Sequence, residues 1–257
     1  MLRGRGFVSS PPDERDFPAE QLLGAAAPIQ DSVDLSSLSK IHDQGQTNSC
    51  VIFSSAQALR VYLKYRGLLD DVWFSIRFGY YNTLVAQNQG IKDDGCIPRY
   101  ALQSLQDTGF CAEASWPWDE TNVLAHPLPD AYTMAEDQKR KTTYYRITST
   151  GEDLKFAVRL ALNKGYPVIW GGPIDAPYEA YYENGGNGLI QTPTAPWVGS
   201  HMRCIVGYTP DYMLEANSWG TMMGLNGFGR VDWNFVANAP SLGYEFWVFD
   251  SVPNLTG

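Results

Sequence analysis

The strongest limit on the fold is a change of hydrophobic pattern halfway along the chain. From Cys50 to Arg66 the apolar residues Val51, Ile52, Phe53, Ala56, Leu59, Val61, Tyr62 and Leu63 recur too broadly for a one-sided stripe. This predicts a helix buried on most faces and stopped by Gly67. Trp73–Ala86 and Pro98–Asp107 predict further helices, the second with proline in its first turn and Thr108-Gly109 at its end. A Pro- and Trp-rich junction follows, Trp116-Pro117-Trp118 and His126-Pro127-Leu128-Pro129. Beyond it the pattern shortens to β-branched and aromatic runs at Thr142–Thr148, Tyr166–Trp170, Met202–Tyr208, Tyr212–Asn217, Gly227–Val231 and Glu245–Phe249, with one helix at Asp153–Lys164. A helical half followed by a β half predicts an α+β chain in two lobes with a cleft between them.

With 257 residues the chain can bury a large core without disulfides. The first thirty residues carry Pro11, Pro12, Pro18 and Pro28 and little periodicity, so they read as an extended arm. Residues 31–257 read as one domain, with a mainly helical lobe over about 45–130 and a mainly β lobe over about 131–257. The net charge of −9 disfavours nucleic acid as a partner. No apolar run is long enough to cross a membrane, and no apolar stretch follows Arg3 and Arg5 as in a secretory leader, so a cytoplasmic or virion-associated protein is expected. All four cysteines are expected to be free thiols. Cys96 and Cys111 flank a ten-residue helix spanning ~15 Å, beyond the ~7 Å limit for a bridge. Lys139-Arg140-Lys141 reads as a solvated helix end, and the Tyr178-Glu-Ala-Tyr181-Tyr182 segment as a loop covering the cleft rim or a partner contact rather than a base-stacking platform.

Chemistry has few candidates, because the chain has only three histidines, His42, His126 and His201. His201 alone opens an apolar strand that would hold it rigidly. Cys50 stands at the start of the buried helix, where free N–H groups and the macrodipole favour thiolate and so a lowered thiol pKa. Asn217-Ser218-Trp219-Gly220 follows a predicted strand, and Asn217 there can accept the second N–H of His201, with Trp219 covering the bond. Taken singly, each residue also fits a purely structural role. The cysteines and histidines have no metal-ligand spacing, and neither glycine-rich segment has a phosphate-loop context, so neither a metal nor a cofactor is expected.

Taken together, these segments resemble the papain-like cysteine proteases, peptidase C1 type, from about Val33 to Val252. Asp43-Gln44-Gly45 with Ser49-Cys50 is similar to the nucleophile segment of that family, His201 with Ile205-Val206-Gly207-Tyr208 to its histidine strand, and Asn217-Ser218-Trp219-Gly220 to its asparagine segment. The short arm resembles a bacterial or phage-like branch without a long pro-region. The resemblance implies a two-lobed fold with a helical left lobe and a β-barrel-like right lobe around the cleft. It further implies hydrolysis of protein or peptide substrates by Cys50, His201 and Asn217, with Gln44 as oxyanion donor. Gly95, Cys96, Pro98, Ser200 and Trp219 would line the substrate groove. The chain departs from the family at Thr47 and Asp93, which stand where papain has a disulfide pair, at Cys96, where it has Gly, and at Met202 and Arg203, where it has smaller residues. If the activation logic of the family holds, the first thirty residues are the available self-blocking segment. The alternative is a papain-fold structural or binding module with an assembly partner, such as part of a phage particle, in which catalysis is absent or secondary.

Overall fold

The structure is a computed structural model, and it describes residues 3–14, 16–24, 27–68, 73–137 and 140–253. The central helix α2 (Cys50–Tyr65) is buried from Cys50 through Leu63, as its all-round apolar sequence requires. Its only polar intrusions near the start, Ser54 and Ser55, turn their hydroxyls back to the carbonyls of Cys50 and Val51, both at 2.8 Å. Gly67 follows with φ 67°, a left-handed conformation that ends the helix. Helix α3 (Ile76–Gln87) begins three residues later than the sequence pattern suggests, because Ser75 is its N-cap and accepts from Phe78 N–H. Helix α4 (Pro98–Asp107) has the predicted bounds. Within the junction, Arg77 donates to the carbonyls of Pro117 and Asn122 and lies over the Trp116 ring, which ties this loop-rich stretch to α3. Helix α5 (Pro129–Asp137) closes the helical half.

The other half is built on one sheet. In chain order its strands are β1 (Phe17–Pro18), β2 (Val33–Asp34), β3 (Arg140–Ile147), β4 (Val168–Ile174), β5 (Gly199–Tyr208), β6 (Tyr212–Ala216), β7 (Phe228–Asp232) and β8 (Glu245–Pro253). They are ordered β1-β3-β8-β4-β5-β6-β7, with β2 added to β5. The fold is α+β as expected, but the sheet stays open: among the described residues no pairing joins β7 to β1. Helix α6 (Gly151–Asn163) packs on the sheet, and α8 (Trp233–Asn238) packs on α6. Strand β5 is buried along most of its length and packs on α2, so the rigid centre of the molecule brings the start of α2 to the start of β5.

Two sequence expectations are corrected. The Tyr178–Tyr182 segment is not a loop but helix α7 (Ala176–Glu183), which Asp175 caps by accepting from Tyr178 N–H, and it buries Tyr178, Tyr181 and Tyr182. Arg140 and Lys141 do not end a helix but open β3, paired with Pro253 and Val252 of β8, while Lys139 lies outside the described residues. The four cysteines are free and buried.

Candidate active site

The loop before α2 is shaped by its own polar side chains. Asp43 accepts from Gly45 N–H at 2.9 Å, and Gln44 is wholly buried with both ends of its amide engaged. Gln44 Nε2 donates to Thr47 O at 2.7 Å, while its Oε1 accepts from Ser218 Oγ at 2.5 Å. Gln44 N–H also donates to Ser218 O, so the loop before α2 is bound to the residue beside Asn217. Among the described residues Gln44 Nε2 makes one hydrogen bond, that to Thr47 O, which leaves its second amide hydrogen without a partner there. Asp93 comes to this loop too, though not at Thr47: Asn48 N–H and Nδ2 donate to Asp93 Oδ1 and O at 2.8 and 2.6 Å, and Tyr80 donates to the same Oδ1. Hydrogen bonds hold the join for which the resemblance suggested a disulfide position.

On the other side, His201 Nε2 lies 2.8 Å from Asn217 Oδ1. That oxygen also accepts from Ser218 N–H, and a carbonyl oxygen cannot donate, so the proton of the bond belongs to Nε2. Trp219 stacks on the His201 ring with centroids 4.6 Å apart and excludes water from this bond. His201 Nδ1 is buried and has no hydrogen-bond partner among the described residues. Burial, reinforced by the Arg203 charge, lowers the His201 pKa to about 3, so the ring is neutral with its lone pair on Nδ1. Cys50, at the start of α2, places its thiol against the main chain of Met202, the residue after His201.

A strip of the N-terminal arm covers all of this. Gly4 N–H donates to Gly45 O at 2.9 Å, Arg5 N–H to Asn48 Oδ1, and Gly6 N–H to Ser200 O at 3.2 Å. Cys96 N–H donates to Gly6 O at 2.8 Å and Val8 N–H to Cys96 O at 3.1 Å, while Trp219 Nε1 reaches Gly4 O. Only glycine fits at two of these positions. A Cβ on Gly4 would stand 1.8 Å from Thr47 O, and one on Gly6 1.9 Å from Asn48 O. Arg3 pairs with both oxygens of Asp43 on the helical side, and Arg5 pairs with Glu179 of α7 on the other. Farther along, Ser9 Oγ and Ser10 N–H donate to the buried Glu245. Arg3-Gly4-Arg5-Gly6 thus has a role the sequence reading missed. Two glycines for close approach between two arginines was the available signal.

The cover reverses one expectation. The Cys50 thiol is pushed up to about 12 rather than lowered, because full burial under the arm outweighs the hydrogen bonds and the Arg203 charge that favour thiolate. Of the residues predicted to line the groove, Gly95 lies against Gly6, Cys96 and Ser200 pair with the arm, and Trp219 both covers His201 and bonds Gly4. Pro98 opens α4. His42 is half-buried and stacks on Trp73, lining a small pocket with Asn217 and Ser218, and His126 packs on Tyr81.

Comparison with known proteins places the chain among cysteine proteases. The papain family cysteine protease profile matches residues 29–239. An uncharacterized peptidase C1-like protein of Acanthamoeba polyphaga mimivirus is 26% identical, over 98% of this chain and 88% of that protein. Cathepsin B-like cysteine proteinase 4 of Caenorhabditis elegans is 27% identical, over 85% of this chain and 72% of its own length. Among solved structures, xylellain, a cysteine protease from Xylella fastidiosa, superposes with a TM-score of 0.81 at 23% identity, covering 97% of each chain. With two thirds of the relatives' lengths spanned and the profile covering most of the sequence, the chain belongs to the papain family of cysteine proteases.

Proposed function

We propose that this cysteine peptidase cleaves peptide bonds through Cys50, His201 and Asn217, with Gln44 as oxyanion donor, and that residues 3–10 hold it latent. The observation that carries the reading is the His201 Nε2 bond to Asn217 Oδ1, which leaves Nδ1 as the only nitrogen free to exchange a proton. With the cleft open to water, the Cys50 proton passes to Nδ1, and the thiolate at the positive end of α2 attacks the scissile carbonyl carbon. The carbonyl π electrons move to oxygen, where the spare Gln44 amide hydrogen and Cys50 N–H stabilise the oxyanion, a contribution of ~3 kcal/mol per donor. As the carbonyl re-forms, the C–N bond breaks and the imidazolium gives its proton to the departing amine. Water then surrenders a proton to Nδ1 and attacks the thioester. The acid leaves, and the thiolate is regenerated.

The arm supports latency because the groups that would hold a substrate backbone, at Cys96 and Ser200, are occupied by Gly6 and Val8. The test compares turnover of a peptide amide by the full chain, by its Cys50→Ala variant and by a chain beginning near Pro28. Loss of turnover in Cys50→Ala and faster turnover by the shortened chain are expected. Residual activity in Cys50→Ala removes the nucleophile assignment, and equal rates for the full and shortened chains remove the latency.

A further inference from the structure

Behind the His201 ring lies an ion pair that the peptide chemistry above does not use. Residues 201 and 203 project from the same face of β5, so Arg203 stands beside His201, and it is almost wholly buried at 1% exposure. Its Nε is 3.1 Å from Glu215 Oε2, and its Nη1 donates to His201 O at 2.8 Å. The guanidinium lies over Trp170 and Tyr178, 4.4 and 4.8 Å from their centroids. Glu215 in turn accepts from Trp170 Nε1 and from the hydroxyls of Tyr178 and Tyr182, at 3.0, 3.0 and 2.9 Å. Those two tyrosines meet Trp219 edge-on, Tyr178 Oη lies 3.5 Å from Asn217 Nδ2, and Trp219 stacks on His201. The two contacts that orient the His201 ring, Asn217 and Trp219, are therefore both braced by partners of Glu215. A well-packed apolar pair could join β5 to β6 without the cost of burying two charges, so joining the strands does not account for Arg203 and Glu215.

Resting on the assignment of Cys50, His201 and Asn217 above, we propose that Arg203, clamped by Glu215, is a positioning residue of the peptidase site that fixes the main chain and ring of His201 and biases the charge of the Cys50–His201 pair. The cation disfavours the imidazolium and favours the thiolate, so it draws both titrations toward acid. The ionisable groups facing Cys50, His201 and Arg203 are Arg5 from the arm, Cys96 ahead of α4, Tyr178 and Tyr182 from α7, Glu215 from β6 and Tyr244 ahead of β8.

The test measures kcat, KM and the pH profile of kcat/KM for a peptide amide with the full chain and three variants. Arg203→Met with Glu215→Gln removes both charges and strands neither. It is expected to lower kcat about tenfold with KM within about twofold, and to move both limbs of the profile alkaline by about half a unit. Arg203→Lys keeps the charge but not the planar fork, and is expected to leave both limbs within about 0.2 unit while kcat falls about threefold. Tyr178→Phe is expected to lower kcat about threefold with unmoved limbs. A folded double variant with unchanged limbs and kcat would overturn the proposal, as would Arg203→Lys shifting the limbs as far as the double variant. Should the double variant not fold, unchanged kcat in both Arg203→Lys and Tyr178→Phe overturns it instead. Failure of the underlying site assignment reads differently, as turnover surviving in Cys50→Ala.

Discussion

His201 and Asn217 meet through a single bond, Nε2 to Oδ1 at 2.8 Å beneath the Trp219 indole, and that bond decides which ring nitrogen is left without a partner among the described residues. Without it the ring can rotate about χ2 and present the wrong nitrogen. Asn217→Ala is therefore expected to lower kcat by about a hundredfold, the order of loss for a misplaced catalytic group, with KM little changed. Steady-state kinetics on a peptide amide checks this. A kcat within about twofold of the parent would mean that packing under Trp219 alone holds the ring.

Gly6 seats the arm by main-chain approach, since a Cβ there would meet the Asn48 carbonyl at 1.9 Å, an atom that cannot swing aside. Gly6→Ala in the full chain is expected to displace the arm and raise turnover at least about tenfold, as the open population grows. Arg3→Ala should do much less, because the Arg3–Asp43 pair is partly exposed and such pairs contribute ~0–1 kcal/mol. Equal turnover by Gly6→Ala and the parent would show that the arm leaves the cleft too readily to matter.

Acid should loosen the same cover. Burial holds His201 at about 3 against an ordinary 6.5, and opening the cover returns part of that burial, and the Arg5 charge, to water, so in acid an uncovered ring takes up a proton that the covered ring refuses. The covered state is thus fully favoured above the pKa of the uncovered ring, which Trp219 and Arg203 still hold below the ordinary value, and it weakens as the pH falls from there toward 3, by at most about 1.4 kcal/mol for each unit. Cys50 acts at the other end. Raised from 9 to about 12, it retains its proton when covered, and its contribution is lost as pH rises through that interval. Hydrogen exchange at the Gly6 and Val8 amides, corrected for intrinsic rate, should show protection about tenfold lower at pH 5 than at pH 7. Protection unchanged over that range would mean that the arm does not open with His201.

Much of this was legible in the sequence, for reasons that differ by element. The bounds of α2 and α4 follow from local signals, an all-round apolar run stopped by Gly67 and a proline at the first turn. Helix α7 was less legible: Tyr178, Tyr181 and Tyr182 do fall at i, i+3 and i+4 on one helical face, but the run behind its cap, Asp175, is only eight residues long and too short to establish a period. The order of Cys50, His201 and Asn217 could be read, but not the covered state of the thiol, which depends on contacts between residues 4–8 and segments more than forty positions away. Arg203 and Glu215 were similarly opaque. Their pairing depends on how β5 runs beside β6, where the register shifts between Ile205 and Gly207.

The join between the loop before α2 and the segment leading to α4 gives a prediction of stability rather than turnover. Asp93 takes Asn48 N–H and the Tyr80 hydroxyl on one oxygen, at 2.8 and 2.7 Å, and its carbonyl takes Asn48 Nδ2. Hydrogen bonds to a charged acceptor contribute ~1.5–3 kcal/mol each, so Asp93→Ala, which leaves a buried N–H and hydroxyl unmatched, should cost on the order of 3 kcal/mol. Asn48→Ala retains the main-chain donor but loses the Nδ2 bond to Asp93 O and the bond that its Oδ1 accepts from Arg5 N–H, so about 2 kcal/mol is expected. Denaturant unfolding at pH 7 measures both. The larger loss must fall on Asp93, because it is the acceptor that gathers three donors from α3 and the loop before α2 onto one residue. Equal losses would show instead that the Asn48 side chain carries the join.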